Sequence, residues 1–205
     1  MRAGAPATRT LPAVTAADGR RGFVAALLAV GLIAACVVRI GLAGAQGPRS
    51  ISAGLAFAVA LLLLAGPAWR RVGAPGRSVR VGLVATVIIV VPAVLRHTAA
   101  GFAMPSSMPG HVRWALATTV VATAEEVFLR GALFDELLTW RGEVVAVLGA
   151  AVAFAGLHVP LYGWRAAPVD FAVGVVLGVV RVETGGWLGP AVAHVSADQL
   201  GWWLL

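Results

Sequence analysis

Charge is scarce in this chain. Only 12% of its 205 residues are charged, about half the share of an ordinary soluble domain. Lysine is absent and all sixteen basic residues are arginine, a bias that reads as codon composition and carries no function. The single cysteine, Cys36, excludes an intrachain disulfide framework and a cysteine-based zinc site, and within its apolar run it reads as a packing thiol rather than a nucleophile. Tyrosine also occurs once. What fills the chain instead is Val, Leu, Ala and Gly: 60% of residues are hydrophobic and the mean hydropathy is +0.89. So apolar a chain must bury surface, which excludes disorder as its general state and argues against a soluble single-core enzyme. The net charge of +7 would suggest nucleic acid in a soluble protein. Here the arginines fall between apolar runs, so they read as membrane topology and no nucleic-acid partner is expected.

The expected fold class is all-α, a multi-pass integral membrane bundle of about seven helical segments. A span needs about 20 apolar residues as helix. Phe23–Gly44, Ile51–Trp69, Val79–Leu95 and Val112–Phe134 meet that length; Val144–Val159 and Val169–Val182 are shorter, and Trp187–Leu205 fits again. Residues 1–21, rich in Ala, Thr, Pro and Arg, read as a disordered cytoplasmic tail. Residues 22–111 read as N-terminal membrane helices and a loop, with Pro105, Pro109, Gly101 and Gly110 marking an irregular connection between Arg96 and His111. Residues 112–205 form the third unit. Ala43-Gly44-Ala45 after Arg20-Arg21 resembles a signal-cleavage site, but six further segments favour an uncleaved first span. With seven spans, ten arginines lie on the side of the N-terminus and four on the other, which places the N-terminus in the cytoplasm of a cell-membrane protein. Arg39, near the outer end of its segment, is expected to snorkel toward water, and Gly174-x-x-x-Gly178 to pack helix on helix.

The polar residues concentrate after residue 120. Glu125, Glu126 and Arg130 share one apolar segment, where each charge costs about 2.5–3.5 kcal/mol at the bilayer centre. Glu126 and Arg130 are four apart on one helix face, in the favourable acid-before-base order. Glu125 points about 100° away and is the carboxylate left for other work. A competing reading ends the segment early, with Glu125, Glu126, Arg130, Asp135 and Glu136 facing water on an interfacial helix. His158 is expected in the last turn of its helix, because Pro160 disfavours helix at Val159, with Phe154 one turn earlier against its ring. His194 and Asp198 form another pair four apart, an arrangement that orients an imidazole. Each feature alone is equally a packing device. Together, a Glu and two His on three helices are able to activate water by general base catalysis, or to hold Zn²⁺ with one position open. The His-Glu-x-x-His zinc-protease motif is absent, so any metal site must be assembled across helices.

Glu-Glu-x-x-x-Arg at 125–130, Phe-x-x-x-His at 154–158 and His-x-x-x-Asp at 194–198, with Arg181-Val-Glu-Thr-Gly-Gly-Trp-Leu-Gly-Pro190 between the last two, resemble the CPBP family of intramembrane proteases. This family is also called the Abi or type II CAAX prenyl endopeptidase family, and the resemblance covers about residues 112–200. It implies an intramembrane endopeptidase acting on a membrane-associated peptide or protein, with catalytic residues Glu125, Glu126, Arg130, His158, His194 and Asp198. Glu125 would activate water with the help of His158, Glu126 and Arg130 would shape the site, and His194 and Asp198 would stabilise the oxyanion or place the water. The resemblance leaves the cofactor open between Zn²⁺, with Glu125, His158 and His194 as its ligands, and no metal at all. Asp198 stands where the family often has Asn, and an ionised aspartate has no proton to donate to an oxyanion. Two other functions compete: a non-catalytic membrane partner or bacteriocin self-immunity protein that keeps these residues for packing, and a small transporter, for which the paired internal repeats are absent.

Overall fold

The computed structural model describes residues 16–100 and 108–201, and these form helices joined by short turns, with no strand among them. Helix α1 spans Ala16–Ala43 and ends in a 3₁₀ stretch, Gly44–Arg49. Helix α2 spans Ile51–Ala65, capped by the Ser50 hydroxyl, which accepts from the Ala53 amide, and runs into a second 3₁₀ stretch, Gly66–Arg70. Then come α3 (Pro75–Ala100), α4 (Met108–Glu126), a π-helical stretch (Val127–Leu133), α5 (Phe134–Arg141), α6 (Glu143–Tyr162), α7 (Ala167–Thr184) and α8 (Leu188–Gly201). Because α4, the π stretch and α5 are continuous, the described residues make seven rods, one for each apolar segment of the sequence.

Helix reaches further than the sequence suggests at three places. Helix α1 starts at Ala16, inside the expected tail, where Arg21 pairs with Glu136 of α5 at 2.8 Å and so has a tertiary partner; residues 1–15 lie outside the described residues. The described ends of the connection between Arg96 and His111 are helix as well, with α3 reaching Ala100 and α4 beginning at Met108. Pro109 falls in the first turn of α4, where a missing N–H costs nothing because that donor has no helical acceptor; Gly101 and Pro105 lie outside the described residues. Helix α6 continues through Pro160 to Tyr162, so His158 stands about one turn before the helix end.

The protein is a membrane protein. Four helical stretches, Gly19–Arg49, Ile51–Arg70, Pro75–Pro92 and Glu143–Tyr162, are long and apolar enough to cross a bilayer. Large apolar side chains face outward along them, with Phe23 63% and Leu63 77% exposed, as lipid contact requires. Inside, α6 lies along α7, α3 along α8, and α1 against α2 and α5, while the π stretch sits centrally against α2, α6 and α8. Phe57, Phe128, Phe134 and Phe154 fill the core between many buried alanines.

Close helix approach in lipid depends on small residues, since packing replaces the hydrophobic drive. A Cβ on Gly174 would meet the Ala151 backbone at 2.8 Å, and one on Gly178 would meet Val147 at 3.0 Å. The Gly-x-x-x-Gly pair is therefore the α6–α7 contact. Gly174→Leu is expected to lower stability by about 1–3 kcal/mol, the cost of overpacking, read as a lower unfolding midpoint in detergent; an unchanged midpoint would mean that α7 is not held this close.

One end of the bundle collects ion pairs. Arg21 binds Glu136, Arg71 and Arg181 both bind Asp135, and Arg77 binds Glu183. These arginines belong to the set that the sequence assigns to one membrane side, and the fold brings them to one end.

Candidate active site

Glu125 and Glu126 end α4 inside the bundle, 3% and 0% exposed, and Arg130 follows in the π stretch at 0%. The interfacial reading is thereby overturned for these three residues. It fails because the rod does not emerge there: α2, α6 and α8 surround it. Only Asp135 and Glu136, further along, reach the bundle end and its arginines.

Glu126 spends one oxygen on two partners, and its Oε2 is buried with no hydrogen-bond partner among the described residues. Its Oε1 accepts from Arg130 Nη1 at 2.8 Å and from His194 Nδ1 at 2.9 Å. Arg130 Nη2 donates to the Gly174 carbonyl at 3.0 Å, and its guanidinium lies 4.9 Å from the Phe154 ring centre. One buried carboxylate thus ties the π stretch to α8, and Arg130 carries the tie on to α7 and α6. A π turn shifts the backbone register: the Phe134 amide bonds to the Leu129 carbonyl, five residues back. The Arg130 carbonyl beside it accepts from Arg181 Nε at 2.7 Å, while Arg181 Nη2 binds Asp135 at 2.6 Å. Arg181 fastens the irregular turn from outside, which satisfies a buried carbonyl.

The two histidines meet across Phe154. Its ring lies 4.5 Å from that of His158 and 5.2 Å from that of His194, the latter edge to face. His158 Nδ1–H donates to the Phe154 carbonyl at 2.8 Å, which leaves Nε2 of the neutral ring as a proton acceptor. His194 donates its Nδ1–H to Glu126, so its Nε2 faces Asp198 at 3.6 Å. That approach is longer than a hydrogen bond and attractive only with a proton on one of the two groups. The sequence pairs His194 with Asp198; the shorter bond is to Glu126, 68 residues away.

Two expectations need correction. Arg39 does not snorkel. Its side chain is 12% exposed, stacks 4.7 Å over the Phe57 ring and stands 3.6 Å from Glu125. Glu125 is therefore not a carboxylate without a partner, although it accepts no hydrogen bond among the described residues. The physical reason is that α1 lies along α2 and the π stretch with this face inward, so the guanidinium finds a buried anion closer than the membrane surface. Glu125 also lies within electrostatic range of His194.

Sequence reasoning passed over two further groups. Tyr162 stacks on His158 at 5.7 Å, 19° from parallel. Asp170, at the start of α7, is electrostatically linked to both His158 and His194, and its Oδ2 is buried with no hydrogen-bond partner among the described residues. Spacing gives no signal for either. For Arg39 the signal was present, as a single charge in a long apolar segment.

Among the described residues no group of three or more His, Cys, Asp or Glu side chains stands close enough to hold a metal ion. Each histidine binds a protein acceptor through Nδ1 and keeps Nε2 for another partner, the orientation a metal-ligating imidazole also takes.

The arrangement, an acid pair ending in an arginine one turn on, with two histidines arriving from separate helices, lies within a matched stretch: residues 107–200 fit the family model described as type II CAAX prenyl endopeptidase Rce1-like. Over these residues the chain is similar to the Rce1-like family. No curated protein and no solved structure matches the chain. The Rce1-like stretch contains all six site residues named from the sequence; Arg39 lies outside it, on α1.

Proposed function

We propose that this protein is an intramembrane endopeptidase that hydrolyses a peptide bond in a membrane-associated substrate, with water activated by Glu125 and His158. The observation that carries this reading is the division of labour between adjacent carboxylates. Glu126 spends its Oε1 on Arg130 and His194, whereas Glu125 is buried beside it, accepts no hydrogen bond among the described residues, and lies within electrostatic range of the same His194. A carboxylate so placed takes a proton from water as the oxygen attacks the substrate carbonyl. His158, with Nε2 free to accept, orients the same water. When the tetrahedral intermediate collapses, the C–N bond breaks and the proton passes from Glu125 to the departing amine. One water is consumed, and a carboxylate and an amine are formed.

The Rce1-like match supports a CAAX-protease type of enzyme, and an apolar groove supports delivery from the bilayer. This groove, about 570 Å³ in volume, lies between α1 and α6; Gly22 and Trp140 line one end, and Cys36, Ile40, Leu157 and Pro160 the other. Cys36 at that second end lies within electrostatic range of Glu125 and Arg39, so the groove is a route by which the apolar part of a substrate would approach the candidate base. We place the protein in the cell membrane with its N-terminus in the cytoplasm, on the arginine count.

The test compares peptide termini in cells that carry the wild-type chain with those in cells that carry Glu125→Ala at equal membrane abundance. New termini that need the intact carboxylate are the expected result. Identical termini in both, with both proteins stable, would point to the non-catalytic partner.

A further inference from the structure

Arg39 sits in the proposed site without doing what buried arginines ordinarily do. Buried guanidinium groups close on carboxylates at about 2.7–2.9 Å, as Arg130 does with Glu126 at 2.8 Å and Arg181 with Asp135 at 2.6 Å. The Arg39–Glu125 separation of 3.6 Å is the one loose arginine–carboxylate pair among the described residues. Arg130 and Arg181 each donate two hydrogen bonds within the protein, and Arg39 donates none among the described residues. Its head group is nevertheless placed, because the guanidinium carbon lies over the Phe57 ring, 4.7 Å from its centre, and Phe57 is itself 2% exposed on α2. A charged fork of donors is thus held in a low-dielectric site with no hydrogen bond to the described residues and with Nη1 3.6 Å from the candidate base.

We propose that Arg39 donates to the carbonyl oxygen of the bond being cut and stabilises the oxyanion as it forms. The inference rests on the proteolytic reading and adds to it a residue from outside the matched segment. Reach selects this role over recognition of a more distant substrate group. One residue of extended peptide covers about 3.3 Å, so a donor 3.6 Å from the base meets the atom under attack rather than a group several residues along. Chemistry selects it too, since Asp198, when ionised, has no proton to give. In the step itself, water oxygen bonds to the carbonyl carbon, its proton moves to Glu125, and the carbonyl π pair moves onto the oxygen facing Arg39. Arg39 keeps all its protons throughout. Collapse returns the pair, breaks the C–N bond and sends the Glu125 proton to the amine.

The experiment uses the full chain in proteoliposomes and, as probe, a synthetic peptide spanning a cut site identified from wild-type-dependent termini. Arg39→Met keeps the packing on Phe57 and removes the donors; Arg39→Lys restores a cation with donors. For Arg39→Met, kcat is expected to fall about 10²–10³-fold with KM within about threefold of wild type, the signature of a lost transition-state donor. Arg39→Lys is expected to recover a substantial part of that loss. The inference is overturned if Arg39→Met cleaves at the wild-type rate, if it changes KM alone, or if Lys and Met lower kcat equally. Failure of the underlying reading looks different: no wild-type-dependent termini arise, or Glu125→Gln cleaves as fast as wild type.

Discussion

Glu125→Gln is expected to lower turnover by about 10²–10⁴-fold, the contribution of a positioned general base, with membrane abundance and unfolding midpoint close to wild type. The amide matches the carboxylate in size, and its oxygen can still face Arg39, so packing around the end of α4 is preserved. What it loses is the ability to take a proton. Glu125 accepts no hydrogen bond within the described residues, so few native contacts depend on its charge. The measurement is the cleavage rate of the purified variant beside its thermal unfolding. A variant that lost stability and activity together would instead assign Glu125 to the scaffold.

The second large effect is on stability. Arg130→Ala is expected to destabilise the protein by about 3–5 kcal/mol, because it leaves a buried carboxylate without its cation. Arg130 and Glu126 are both fully buried, and the same guanidinium bonds to the Gly174 carbonyl and covers Phe154. Its removal strands Glu126, frees a carbonyl at the α6–α7 contact and loosens the ring between the histidines. Replacing both members, as Glu126→Leu with Arg130→Met, is expected to cost less than Arg130→Ala alone, since no uncompensated charge remains. Unfolding of the wild type and the two variants in detergent checks this. A loss under about 1 kcal/mol for Arg130→Ala, the range of exposed pairs, would contradict a buried ion pair.

What the sequence made legible was local. The seven apolar segments appear as seven rods, Glu126 meets Arg130, Phe154 meets His158, and Gly174 and Gly178 lie against α6. Each of these follows from helical spacing or segment length, which a linear pattern carries directly. The misread features depend on which helices become neighbours. Arg39 reaches Glu125, 86 positions on in the sequence, and no periodicity within α1 distinguishes an inward arginine from one bound for the surface. Glu126 takes His194 in preference to leaving it to Asp198 because α8 crosses the end of α4. Tyr162 joins the site because α6 tolerates Pro160, and Asp170 because α7 begins beside His158. Intramembrane charge is costly enough that each such residue has a reason for its position; the reason is found only when the bundle is assembled.

The central claim is that Glu125 turns water into the nucleophile for peptide hydrolysis within the membrane. Its most direct test is cleavage by the reconstituted protein in ¹⁸O-labelled water, with newly formed C-termini weighed by mass spectrometry. The account predicts one ¹⁸O in each new carboxylate with wild type and almost no new termini with Glu125→Gln. Labelled termini appearing at equal rates with both proteins, or with neither, would contradict it.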